Sequence, residues 1–454
     1  MDTQFCQNNR IDSTQIGYYD PVLTAGAPSN DGANARASNG CASRRPAATI
    51  RARYMANRRL FLTALAALAL LGASRQQSVA QDKVIKIGAP LPLTGALAPE
   101  GLKQKEGYDL WAEAANKAGG IKVGSDRYKV ELVYYDYQSA TPRAVQLTEK
   151  LASEEKVNFI FSPFGSGATK AASNISEKYK IPTISSTGSS EQVYDQGFKY
   201  LFGTLNSNVI VSQALITYFK AKAPNVKKVA IYSRNDLFPL ALATSLDDAA
   251  KKSGYDVIYF EKYPVNAMDH SAALTELRAK GADWIYVSGY TDDLIRIRKQ
   301  MAENKVTAPI VTMLAGPAYP EFVDGLGDIA NGVTSVTWWH PAVRFTAGDV
   351  FGSTEEYVKQ FTAKYNKPAD YAQASSSAAG VVLQLAIEKA GSIDGEKVRD
   401  VLASTEFRTF YGPIKFGPSG QNITADNPIF QIQDKKIAII APADVKSGDL
   451  QLTK

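Results

Sequence analysis

The chain has 454 residues, 45% apolar and 21% charged, which is room for two or three globular domains and excludes a disordered, collagenous or multi-span membrane chain. Net charge is +6, but residues 1–80 carry nine Arg against four Asp, while residues 81–454 are nearly balanced; this leaves no positive excess for a nucleic acid backbone. Two His and two Cys are too few for a multi-His metal site or a disulfide scaffold.

Residues 1–54 hold no Lys and no hydrophobic period, and are set aside as either an over-long start or an extension with its own role. From Met55 the chain reads as an export signal. Arg58 and Arg59 precede the apolar run Leu60–Gly72, and Ser78-Val79-Ala80 supplies small residues for cleavage before Gln81. As a helix the run spans ~20 Å, short of the ~30 Å core of a bilayer. Cys6 and Cys41 both precede the cleavage point, so the mature protein is expected to lack cysteine and to be a soluble, monomeric periplasmic protein.

After Gln81 strands and helices alternate. Strands are expected at Val84–Leu91, Lys129–Asp136, Asn158–Ser162 and Pro182–Ser186, with helices at Lys103–Ala118, Pro142–Glu155 and Gly167–Tyr179 between them. The pattern restarts with helices at Val209–Lys222, Phe238–Ser253, Ser271–Lys280 and Asp292–Asn304. Strands at Lys228–Ser233, Asp256–Glu261, Trp284–Val287, Pro309–Met313 and Gly332–Trp338 go with them. Helices near Ser353–Tyr365, Tyr371–Ala390 and Glu396–Ala403 follow, and the end is an antiparallel finish at Pro413–Phe416, Ile429–Gln433 and Lys436–Ile440. The pattern predicts an α/β protein with two Rossmann-like lobes, mostly parallel sheets flanked by helices, and one cleft where the strand ends of both lobes meet.

Two loops of the first lobe carry the chemistry. Phe161–Thr169 and Ile184–Glu191 are small, rich in hydroxyls and placed before helix N-termini, where free N–H groups and the helix dipole favour a carboxylate. Helix capping explains either loop alone; two of them on adjacent strands point to a ligand. Gly165-x-Gly167 lacks the third glycine of a dinucleotide fingerprint, and no Walker sequence or G-x-S-x-G occurs. His270 is expected to start a helix, and His340 to sit at a lobe crossing; neither has a nucleophile to orient. No enzyme activity and no cofactor are expected.

These residues resemble a known family. Pro92-Leu93-Thr94-Gly95, Glu106-Gly107, Asn116–Ile121, the Ser166 loop, Ile181-Pro182, Thr187–Ser190 and Tyr411–Phe416 together are similar to the solute-binding proteins of branched-chain amino acid ABC transporters. The resemblance implies the type I periplasmic binding fold, with a three-segment hinge near Gly203–Asn206, Trp338–Pro341 and Thr424–Pro428. Lobe one would hold 81–203 and 340–424, and lobe two 205–337 and 428–454. It also implies capture of a small carboxylate-bearing solute, an amino acid or a related compound, for delivery to a membrane permease. Ser166, Thr187 and Ser189 would hold the carboxylate. Tyr290 would close over the ligand, and a further aromatic maps to Leu237 or Phe238. One departure stands out: the family's ammonium-pairing Glu after a Gly-Pro pair is Ala318 here. Glu100, where the family has an aromatic residue, is the candidate replacement. The alternatives are an aromatic or other organic acid without an ammonium, walled by Phe238, Tyr319, Trp338 and Trp339, or a soluble sensor partner.

Overall fold

The structure is a computed structural model describing residues 83–424 and 427–453. The export segment, its cleavage point, residues 1–54 with both cysteines, and part of the third expected crossing lie outside the described residues.

The first half contains β1 (Val84–Leu91), α1 (Ala98–Lys117), β2 (Ile121–Val123), β3 (Asp126–Asp136), α2 (Thr141–Ser153), β4 (Phe159–Phe161), α3 (Gly165–Tyr179), β5 (Thr183–Ser185), α4 (Glu191–Tyr194) and β6 (Leu201–Asn206). The second contains α5 (Asn208–Lys222), β7 (Lys228–Arg234), α6 (Leu237–Lys252), β8 (Asp256–Tyr263), α7 (Ser271–Lys280), β9 (Trp284–Ser288), α8 (Thr291–Glu303), β10 (Ile310–Leu314), α9 (Pro320–Leu326) and β11 (Val333–Val336). Then come α10 (Thr354–Tyr365), α11 (Tyr371–Ala390), α12 (Gly395–Ser404), β12 (Glu406–Thr409), β13 (Gly412–Lys415), β14 (Gln421–Asn422), β15 (Ile429–Gln433) and β16 (Lys436–Ala441).

Two seven-stranded sheets result. The first runs β14-β6-β5-β4-β1-β3-β2, parallel except at β2; the second runs β16-β15-β11-β10-β9-β7-β8, parallel except at β15 and β16. Each sheet reverses its winding once. In the first, β1 lies between β3 and β4; in the second, β7 lies between β8 and β9. Loops leave such a strand pair in opposite directions and open a crevice at the C-terminal ends. Those crevices are where Glu100 with Phe164, and Phe238 with Tyr290, are placed.

Helix α11 returns to the first lobe and packs on α1, and two glycines let it approach. A Cβ on Gly380 would lie 2.1 Å from the Trp111 ring, and one on Gly107 would lie 2.3 Å from the Gln373 carbonyl. A third, Gly101, would meet the Pro92 carbonyl at 2.2 Å, so the first turn of α1 is pressed onto the loop after β1. The starts of α1 and α11 are thereby brought side by side.

The chain crosses between sheets after β6, after β11 and after β14. Trp338 Nε1 donates to the Asn206 carbonyl at 3.4 Å, Asn427 Nδ2 donates to the Thr337 carbonyl at 3.3 Å, and the Asn206 and Asn427 amides bond to each other. The sequence reading puts the first crossing near 203–206; β6 pairs with β5 and β14 in the first sheet, and the chain leaves that sheet at its end, Asn206. The sequence reading leaves out the strands β2, β6, β12 and β14 and the helices α4 and α9; most are too short to carry a readable period, and β6 reads only as a crossing.

Candidate functional site

The switch-point loops of both sheets face one cavity. Its polar lining is Glu100, Thr187 and Thr291; its apolar lining is mainly aromatic, from Phe164, Phe238, Tyr290, Tyr319, Trp338 and Tyr371. The cavity has closed down to about 10 Å³, barely enough for one water molecule, so its walls are almost in contact.

Glu100 sits in the first turn of α1, where an acidic side chain meets the positive helix end. It is 4% exposed. Its Oε1 accepts a bond from Thr291 Oγ1 at 3.3 Å, reaching from the other lobe, while Oε2 has no partner. Burial pushes its pKa up from 4.5 to about 7, and the nearby charge of Asp292 adds to this. Its backbone bond, Lys103 and Thr291 pull the other way without prevailing. A buried carboxyl with a free oxygen in an aromatic cavity is short of one donor.

Lys103, one turn on, is 5% exposed and differs completely. Its Nζ donates to Asp370 at 2.8 Å within the first lobe and to Glu321 at 2.8 Å across the cleft. Burial alone would lower the pKa of this ammonium, but the two carboxylates outweigh it and raise it. Arg234 is likewise neutralised, donating to Asp293 at 2.6 Å with Asp236 3.6 Å away, and it lies over the Tyr290 ring at 5.2 Å. No Lys or Arg lines the cavity itself among the described residues.

The hydroxyl loops are arranged differently from the sequence expectation. Thr187 lines the cavity, and its Oγ1 accepts from Gly165 N at 3.0 Å. Ser166 and Ser189 do not line it. Ser166 Oγ accepts from the N–H groups of Ser189 and Ser190 at 3.3 and 3.2 Å, and Ser189 Oγ donates to Asn208 Oδ1 at 2.8 Å. The reason is local satisfaction: each loop supplies what the other's buried groups lack. Tyr290 and Phe238 lie on the cavity wall with their rings 6.0 Å apart, whereas Leu237 packs toward Val193, Tyr194 and Leu201. Trp338 is also on the wall, but Trp339 faces neighbouring spaces.

Among the lining residues that escaped the sequence reading, three matter for the geometry. Thr291 and Tyr371 begin α8 and α11, and Leu205 lies in β6. Thr291 is legible only as the start of a helix after Ser288-Gly289-Tyr290. Tyr371 becomes a wall only through the glycine-mediated packing of α11. The histidines stand apart. His270 bonds Tyr232 through Nδ1 at 2.8 Å at the start of α7, and His340 Nδ1 accepts from Ala342 N at 3.1 Å. Among the described residues no group of three His, Cys, Asp or Glu could hold a metal, and no helix is long and apolar enough to cross a membrane.

This geometry has counterparts. The profile of the family described as periplasmic binding protein matches residues 84–436. A Leu/Ile/Val-binding protein homolog 8 from Brucella abortus (strain 2308) is 27% identical over 387 residues, covering 82% of this chain and 93% of its own length. A branched-chain amino acid transporter substrate-binding protein from Streptococcus pneumoniae, solved with isoleucine, superposes with a TM-score of 0.70 at 24% identity, over 78% of this chain and 98% of that one. A solute-binding protein from R. palustris, solved with benzoate, gives 0.67 at 20% identity, over 79% and 95%. Two lobes of this topology, a hinge of three strands and a cleft shared between them make up the type I periplasmic binding fold. The profile spans most of the chain, and the chain belongs to the periplasmic binding protein family, as a substrate-binding protein of the kind that serves ABC transporters.

Proposed function

We propose that this protein captures an amino acid between its lobes and hands it to an ABC transporter permease in the membrane, as a monomer in the periplasm. The moving bodies are the two sheets with the helices that cover them, the chain passing from one to the other after β6, β11 and β14. The observation that carries the choice of solute is Glu100 Oε2, buried in the cavity with no donor. A ligand ammonium would complete it, in place of the carboxylate absent at Ala318. The carboxylate end goes to the hydroxyl loops. Thr187 Oγ1 lines the cavity and already accepts a backbone N–H, which leaves its proton to donate, while Ser166 and Ser189 brace the two loops behind it. Phe238 and Tyr290 cover the ligand's side chain. Closure is favoured because the solute touches both lobes, giving the closed state its extra affinity.

A second reading has one observation in its favour. With a pKa of about 7, Glu100 is largely protonated in mildly acidic solution and could donate to an organic acid lying on the aromatic wall. Titration calorimetry with L-leucine and with benzoate separates the two. If the ammonium pairs with Glu100, Glu100→Gln costs L-leucine about 2 kcal/mol, or roughly thirtyfold in Kd, and leaves benzoate unaffected. Tighter benzoate binding at pH 5.5 than at pH 8, with no L-leucine binding at either, supports the second reading and removes the first.

A further inference from the structure

The cavity at Glu100 and a groove next to it share two walls. Tyr319, between β10 and α9, stacks on Tyr371, the first residue of α11, with ring centroids 5.2 Å apart and planes 13° from parallel. Both rings line the cavity and both line the groove, which continues past Val323, Trp339 and Pro341 to Ile437. The groove has a volume of about 330 Å³ against about 10 Å³ in the cavity. The stacked pair therefore divides a space that fits little more than water from one that fits a large side chain.

Tyr319 is held by packing against Tyr371 and by the Lys103 ammonium rather than through its hydroxyl. Its hydroxyl is buried with no partner, and Lys103 Nζ sits 4.8 Å from its ring centroid. The two rings also belong to different lobes, so opening of the cleft separates them.

We propose that Tyr319 and Tyr371 are the specificity-determining partition of the cleft. The solute's side chain passes between the two rings into the groove, so bulky and aromatic amino acids are preferred over valine-sized ones. This rests on the amino acid reading of the site, with Glu100 at the ammonium end.

The test is titration calorimetry on the wild type and on Tyr319→Ala, Tyr371→Ala and Tyr319→Phe. The probes are L-valine and L-phenylalanine, and separately benzoate and 2-naphthoate. In the series that binds, either alanine variant should favour the larger probe over the smaller by about tenfold more than the wild type does. Tyr319→Phe, which keeps the ring, should return the ratio toward wild type. Equal changes for both members of a series, a phenylalanine variant that shifts the ratio as far as alanine, or binding of no probe by any of the proteins each overturn the partition. If only the acids bind and their ratio shifts, the amino acid reading fails and the partition stands; if amino acids bind without a shift, the reverse holds.

Discussion

Two charged residues one turn apart on α1 occupy opposite situations. The region around Lys103 is closed: an ammonium faces two carboxylates, one from each lobe, each at 2.8 Å. The region around Glu100 is open: a carboxyl as deeply buried has one long bond from Thr291 and a free oxygen. Burial is nearly the same, so the difference lies in what the surroundings supply. A satisfied buried charge works as a clasp, and an unsatisfied one waits for a ligand.

The contrast breaks most visibly at Lys103. Lys103→Met leaves Asp370 without its cation, and the expected loss is about 3–5 kcal/mol of unfolding free energy, measured by urea titration. Glu321→Gln, at a carboxylate half exposed to solvent, should cost less than about 1 kcal/mol. Equal losses would mean that the clasp acts through the cleft rather than through burial.

Next in size is the pH dependence of Glu100. An acid whose pKa is higher folded than unfolded binds more protons in the folded state, so its contribution favours folding below pH 4.5 and is lost as pH rises toward 7. The difference corresponds to about 3 kcal/mol. His340 acts with the opposite sign, because burial holds its pKa down near 4, and stability is lost as pH falls from 6.5 to that value. Subtracting the Glu100→Gln profile from the wild type isolates the first effect. A difference that is flat between pH 4.5 and 7 would show that the carboxyl is not desolvated.

The smallest effects test the hydroxyl loops as a third, satisfied region. Ser166→Ala leaves the Ser189 and Ser190 N–H groups without an acceptor and should cost about 2 kcal/mol of stability, whereas Ser189→Ala loses one bond to Asn208 and should cost about 1 kcal/mol. Thermal melts with and without L-leucine separate bracing from binding, since a bound solute raises the midpoint only where affinity survives.

Much of this was legible in the sequence. Strands such as Val84–Leu91 and Ile429–Gln433 and the helix Tyr371–Ala390 follow from periodicity and punctuation alone. Glu100, Thr187, Phe238 and Tyr290 stand at strand-to-helix junctions, where α/β sheets place ligands, and they share one cavity. What the sequence does not carry is the choice of hydrogen-bond partner. Ser166 and Ser189 read as ligand donors because their loops are rich in hydroxyls, but only the folded chain reveals that each loop meets the other's needs. Nor does the sequence announce that Lys103, Asp370 and Glu321, far apart in the chain, converge on one point.

The glycine seam between α1 and α11 has a reach beyond packing. Because Gly107 admits the Gln373 backbone and Gly380 admits the Trp111 ring, Glu100, Lys103, Asp370 and Tyr371 are mounted on a single plate. A methyl group grown at position 380 would lever that plate apart from its buried end. Recognition could then be spoiled by a change at a residue that never meets the solute.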